Sequence, residues 1–189
     1  MKTDAVATTR RRTFLITLAA ASGTFAAAAL GATASVDAIG IDLESVAYPF
    51  PVAFLPLTLE AHDVRMAYMD VAPQGRPNGR TVVLLHGKNF YGLYWETTIR
   101  DLTARGYRVV VPDQIGWGKS SKPAIAYSFD LLAANTAKLL DTLGVARAVL
   151  VGHSTGGMLA TRFTRTCIPT AWSGSCSKIR SAWKIIDGS

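Results

Sequence analysis

Cysteine is nearly absent from this chain: its 189 residues include two, Cys167 and Cys176, and none precedes them. A disulfide framework therefore cannot hold the body together; an extracytoplasmic location would permit at most one bridge in the tail. Charge is also scarce. Charged residues make up 17% against 49% hydrophobic, which excludes global disorder and provides a buried core. The net charge of +7 invites a nucleic-acid reading, but the body lacks the excess. Residues 1–34 carry Lys2, Arg10, Arg11 and Arg12 against Asp4, and residues 164–189 carry Arg165, Lys178, Arg180 and Lys184 against Asp187, giving +3 at each end. The intervening 35–163 hold 12 basic and 11 acidic residues, a net +1 that argues for no nucleic-acid partner. No internal repeat is present, and the length allows one domain of ordinary size.

The low-complexity segment lies at the front. Arg11-Arg12-Thr13-Phe14-Leu15 resembles the twin-arginine export motif. An uncharged, alanine-rich run from Phe14 to Leu30 follows, then Ala32-Thr33-Ala34, which fits a small-x-small cleavage site. A membrane anchor or an ordinary secretory signal is the alternative, since the run sits at the lower limit for spanning a bilayer. The low hydrophobicity of an alanine-rich run favours the twin-arginine reading. Residues 1–34 are thus expected to be a signal peptide, with a periplasmic or secreted product folded before export and no membrane attachment after signal removal.

In the body, Leu55–Glu60 and Val64–Val71 are β-prone stretches broken by His62-Asp63 and read as a hairpin. The cluster Pro73–Arg80 is a turn, and Thr81–Leu85 is a short apolar strand of the doubly buried kind. Helical spacing runs from Trp95 to Arg105 and stops at Gly106. A second buried strand, Tyr107–Val111, closes at Pro112-Asp113. Phe129–Leu143 is an amphipathic helix ended by Gly144, Ala148–Val151 a third buried strand, and Gly157–Thr164 another helix. Strands alternating with helices through short connections imply an α/β fold with parallel pairing and right-handed crossovers.

Gly152-His153-Ser154-Thr155-Gly156 matches G-x-S-x-G between an expected strand and an expected helix. A turn that tight needs small residues beside the serine and lifts its Oγ above the sheet edge. It also aims the Thr155 N–H toward the place where a tetrahedral oxyanion would form. Together with VVLLHGKNFYG and VVVPDQIGWGKSSKP, in this order and spacing, the motif AVLVGHSTGGMLA resembles the α/β-hydrolase superfamily over residues 50–163. The resemblance implies an α/β-hydrolase fold, mostly parallel with helices on both faces. It implies Ser154 as nucleophile, with the backbone N–H groups of Thr155 and Lys88 as oxyanion hole. Lys88 and Asn89 stand where the lipase loop has glycines. Serine rather than aspartate disfavours the epoxide hydrolase and haloalkane dehalogenase branches. The implied substrate is a small ester or related carbonyl compound, handled through an acyl-enzyme, with no cofactor and no metal.

The same resemblance gives His86 and His153 structural roles, and assigns Asp113 to holding the loop Gly116–Ser120. Trp95, Phe90, Tyr91 and Trp117 could line a pocket, although core packing is the commoner role; His62 is expected at the surface. The family's order is serine, acid, histidine, yet after Ser154 the only acid is Asp187 and no histidine follows. The expected fold therefore breaks off after the elbow helix, the enzyme is expected to be inactive as written, and a non-catalytic fragment or binding domain is the alternative. The strand before the elbow would become an exposed edge. From Thr166 the sequence loses hydrophobic periodicity. Plausible GC-rich codons for 166–189 read in another frame give a helix-ending Tyr-Pro, a connector and an apolar strand, which points to a frameshift near Arg165–Thr166. Two measurements check the ends: DNA sequence in which that frame stays open, and an exported product whose mass lacks residues 1–34. Early stops in the alternative frame, or a retained leader, would remove the respective reading.

Overall fold

A computed structural model describes residues 39–167 and 183–185. The signal peptide read in 1–34 and Cys176, one half of the possible bridge, lie outside the described residues.

β1 (Val52–Leu59) and β2 (His62–Val71) form the expected hairpin. Leu59 pairs with His62, so the turn consists of Glu60 and Ala61 alone, at φ 46° and 64°. The sequence reading set the break at His62-Asp63; these residues instead open β2. Two left-handed residues match the right-handed twist of the flanking strands. The resulting register sets Leu57 opposite Val64 and Leu55 opposite Met66, so that four apolar side chains share one buried face. His62 is exposed at the hairpin end, as expected.

β3 (Thr81–Leu85) lies inside the sheet, with β4 (Arg108–Pro112) and β5 (Ala148–Gly152) parallel to it on either side. A 3-10 turn, Gly92–Trp95, and α1 (Glu96–Ala104) connect β3 to β4. The crossover to β5 is α2 (Phe129–Thr142), and α3 (Thr155–Cys167) leaves β5. The strand order is β1-β2-β4-β3-β5-β6, where β6 is Trp183–Ile185. Because β2 runs antiparallel to both β1 and β4, the sheet is mixed, and its parallel half carries the helices.

Period-two alternation decides which face each side chain serves. Val83, Leu85, Val110, Ala148 and Leu150 pack with Leu139, Leu140, Leu159 and Phe163 of α2 and α3. Val82, Leu84, Val109 and Val111 pack with Trp95 and Ile99 at α1. Both faces are therefore covered, which is why these strands read as continuous apolar runs. Ser128 caps α2 by accepting from the Leu131 N–H at 3.1 Å, and Gly106 and Gly144 stop α1 and α2 at positive φ. Arg108 clasps both carboxylate oxygens of Asp70 at 2.8 and 2.7 Å and reaches the Leu143 carbonyl, tying the end of α2 to the sheet.

The structure differs from the sequence reading on the far side of β5. That strand is not a bare edge: β6 pairs with it in parallel, Leu150 to Trp183, Val151 to Lys184 and Gly152 to Ile185. An unpaired apolar edge satisfies its N–H and C=O groups with whatever strand-capable segment can reach it. Three residues are too few to show a periodicity in the sequence.

Placing asparagine and glycine in the hairpin turn, by Glu60→Asn with Ala61→Gly, should raise stability by about 1 kcal/mol, since neither position then resists a positive φ. Urea unfolding checks this: the midpoint should rise at unchanged slope, and a fall would refute the left-handed turn.

Candidate active site

The elbow is built by one close approach. The end of β5 lies beside the end of β3, Gly152 opposite Leu85, and the His153 N–H donates to the Leu85 carbonyl at 3.1 Å. α3 already begins at Thr155, two residues earlier than the sequence spacing indicated, leaving only His153 and Ser154 to reverse the chain. A Cβ on Gly156 would collide with the backbone oxygens of Leu85 and His86; one on Gly152 would collide with the backbone of Gly156. Only glycine admits both approaches. The cost of the reversal falls on Ser154, which sits at φ 53° and is exposed. For a residue with a Cβ, such a conformation costs about 1–3 kcal/mol and persists only where its surroundings enforce it.

Gly156 N–H donates to His153 O at 2.8 Å and Gly157 N–H to Ser154 O at 2.9 Å. Thr155, at the first position of α3, has an N–H with no helical acceptor, at the positive end of the helix dipole. Across from it, the Phe90 N–H closes a turn onto the Gly87 carbonyl at 3.1 Å, with Asn89 at φ 64°. Asparagine tolerates that conformation better than most residues, so it can stand where the lipase loop has glycine. Lys88 and Thr155 both wall a cavity of about 240 Å³. Ser154 is not a wall residue of this cavity; it stands exposed on the elbow beside Thr155.

The remaining polar groups have defined duties. His86 is buried; its Nε2 accepts from the Gln114 N–H at 2.9 Å, which leaves the proton on Nδ1, 2.8 Å from the Gly87 carbonyl. Burial pushes its pKa below the ordinary histidine value, partly countered by the Gly87 carbonyl and the Asp113 charge. The His153 ring lies against Phe90 and Tyr94, with Nδ1 3.3 Å from the Tyr94 hydroxyl. Burial raises that phenol to about 12. Both imidazoles are engaged in these loop contacts.

Asp113 is buried, and its carboxylate accepts from Gly92 N–H at 2.6 Å, Lys119 N–H at 2.8 Å and the Tyr48 hydroxyl at 2.6 Å. Burial first, and then the adjacent carboxylate, raises the Tyr48 pKa, so the phenol remains a donor. Asp113 thus holds the loop after β4 together with the turn before α1. Of the four aromatic candidates, Trp117 lines the cavity, edge-on to His86 and Tyr127. Trp95 belongs to the core, Tyr91 stacks on Tyr48, and Phe90 is exposed against His153.

Sequence reasoning missed the opposite wall, formed by Tyr127, Ser128, Phe129 and Leu132 at the start of α2. A signal existed, since a helix following a parallel strand begins at the carboxyl edge, where sites form. The Tyr48 contact had none; 65 residues separate it from Asp113.

A family profile described as alpha/beta hydrolase fold matches residues 80–166. A "probable hydrolytic enzyme" of Pseudomonas aeruginosa, known from its crystal structure, is 55% identical, with a TM-score of 0.63 over 65% of this chain and 39% of that one. The described chain has the α/β-hydrolase fold. Epoxide hydrolase A of Mycobacterium tuberculosis is 36% identical over 51% of this chain and 31% of its own length. A non-heme chloroperoxidase of Streptomyces lividans is 33% identical over 54% and 36%. The chain spans about a third of the length of the curated relatives it matches. These likenesses support the α/β-hydrolase superfamily, and they hold enzymes of more than one chemistry.

His86 generates a pH prediction. Its folded pKa lies below the unfolded value near 6.5, so below that pH the unfolded chain binds a proton that the folded chain refuses. The stability is fully present above pH 6.5 and is lost as pH falls through the window beneath it. Melting temperature against pH should show that loss, and His86→Asn should flatten it by about one proton. Parallel curves for the two proteins would rule the assignment out.

Proposed function

We propose that this protein is a serine hydrolase of the α/β-hydrolase superfamily, in which Ser154 attacks the carbonyl of a small ester or related compound. The Thr155 and Lys88 N–H groups would receive the oxyanion, and an acyl-enzyme would form and then hydrolyse. One observation carries the reading: an exposed serine held at φ 53° between β5 and α3. A turn that served packing alone would place glycine there and avoid the strain. Serine instead of aspartate separates the site from epoxide opening, although an epoxide hydrolase is among the similar proteins. The leader in 1–34 makes the product periplasmic or secreted in this reading.

Catalysis also needs a base. No histidine follows Ser154, and His86 and His153 are engaged in loop contacts. Turnover by the described residues alone is therefore slow or absent. That same observation favours a second reading, a non-catalytic binding domain that keeps the pocket and lacks the reaction.

A fluorophosphonate probe separates the two. Under the first reading, labelling depends on Ser154, is slow, and accelerates when free imidazole supplies the missing base. Ser154→Ala should abolish it. Ser154→Gly should abolish it as well while raising stability by about 1 kcal/mol, since glycine carries no strain at that φ. No labelling even with imidazole would leave the binding domain standing.

A further inference from the structure

Of the residues that line the cavity beside the elbow, one carries a charged side chain, the exposed Lys88. His86, also on the wall, is kept neutral by its burial and by its Nε2 accepting from the Gln114 N–H. The rest of the lining is uncharged, with Trp117, Tyr127 and Phe129 giving it an aromatic character. No ion pair among the described residues includes Lys88. Neighbouring acids are committed elsewhere. Asp113 is saturated by Gly92, Lys119 and Tyr48, and Asp130, next to Phe129, is paired with Arg162. The N-termini of α2 and α3 both open at this wall, through Ser128 and Thr155, and add positive potential of the same sign.

We propose that Lys88 is a specificity-determining residue, and that the site takes acyl compounds with an apolar or aromatic body and an anionic group, a carboxylate, that pairs with the Lys88 ammonium. The aromatic body fills the cavity between Trp117 and Phe129, and the carboxylate stays at the mouth, where Lys88 is wet. This rests on the elbow being an acyl-transfer site, and it names the substrate class that the site selects. The backbone N–H of Lys88 and its side chain then act on different parts of one substrate, the first on the carbonyl oxygen and the second on the remote anion.

The test measures binding, so that it does not depend on the reaction. The full chain carrying Ser154→Ala is titrated calorimetrically with 4-phenylbutyrate and with 4-phenylbutanamide, which match in shape and differ in charge. The carboxylate should bind about fivefold more tightly at low ionic strength, with the preference shrinking as salt is added. Lys88→Met should erase the preference and Lys88→Arg should keep it. Equal affinities, binding of neither ligand, or a preference that survives Lys88→Met overturns the proposal. A failure of Ser154 to react with the fluorophosphonate, with the carboxylate preference intact, would instead count against the hydrolase reading alone.

Discussion

The contact on which the site depends is backbone against backbone: Gly156 seated on the carbonyl oxygens of Leu85 and His86, with no room for a side chain. It brings the first turn of α3 onto the end of β3 and forces the chain to reverse within His153 and Ser154. Two consequences follow at once. Ser154 is driven to a positive φ and outward, and the N-terminus of α3 is brought beside the loop that carries Lys88. The exposure of the serine and the approach of the α3 N-terminus to the Lys88 loop are thus one geometric event. The sheet beneath supplies the rigidity that makes such strain tolerable, since β3 is buried from both faces.

Asp113 performs the complementary task on the other side of β3. A buried carboxylate is costly unless its lone pairs are met, and here two backbone amides and a phenol meet them. The loop after β4, the turn before α1 and the segment around Tyr48 are thereby tied to one point. Lys119 extends the tie by reaching the Leu43 carbonyl and the face of Tyr48. Trp117, carried on the same loop, is held as a wall of the cavity. Under the proposed hydrolase reading, a fixed pocket beside a strained serine would suit pre-organised chemistry, because donors that are already oriented need no reorganisation when charge develops.

Much of this was legible in the residues. The short apolar strands, the helix-stopping glycines and the elbow motif each rest on local physics: period-two burial, the freedom of Gly106 and Gly144 at positive φ, and the tightness of G-x-S-x-G. The hairpin was legible but its turn was not. His62 and Asp63 are polar and looked like the break, whereas the matching of buried faces placed the turn at Glu60-Ala61. The start of α3 was set too late because glycines discourage helix, and the contact with β3 overrides that preference.

By itself, then, the sequence determined the order of elements, the family resemblance, the identity of the exposed serine and the lack of a following histidine. Those are properties of neighbouring residues, and propensity and spacing encode them. Tertiary structure alone decided that β6 covers the outer edge of β5, that Tyr48 completes the shell of Asp113, and that the start of α2 faces Lys88 across a cavity. Each of these joins segments far apart in the chain. Such contacts are set by which surfaces the folded sheet leaves unsatisfied, and no local pattern records that.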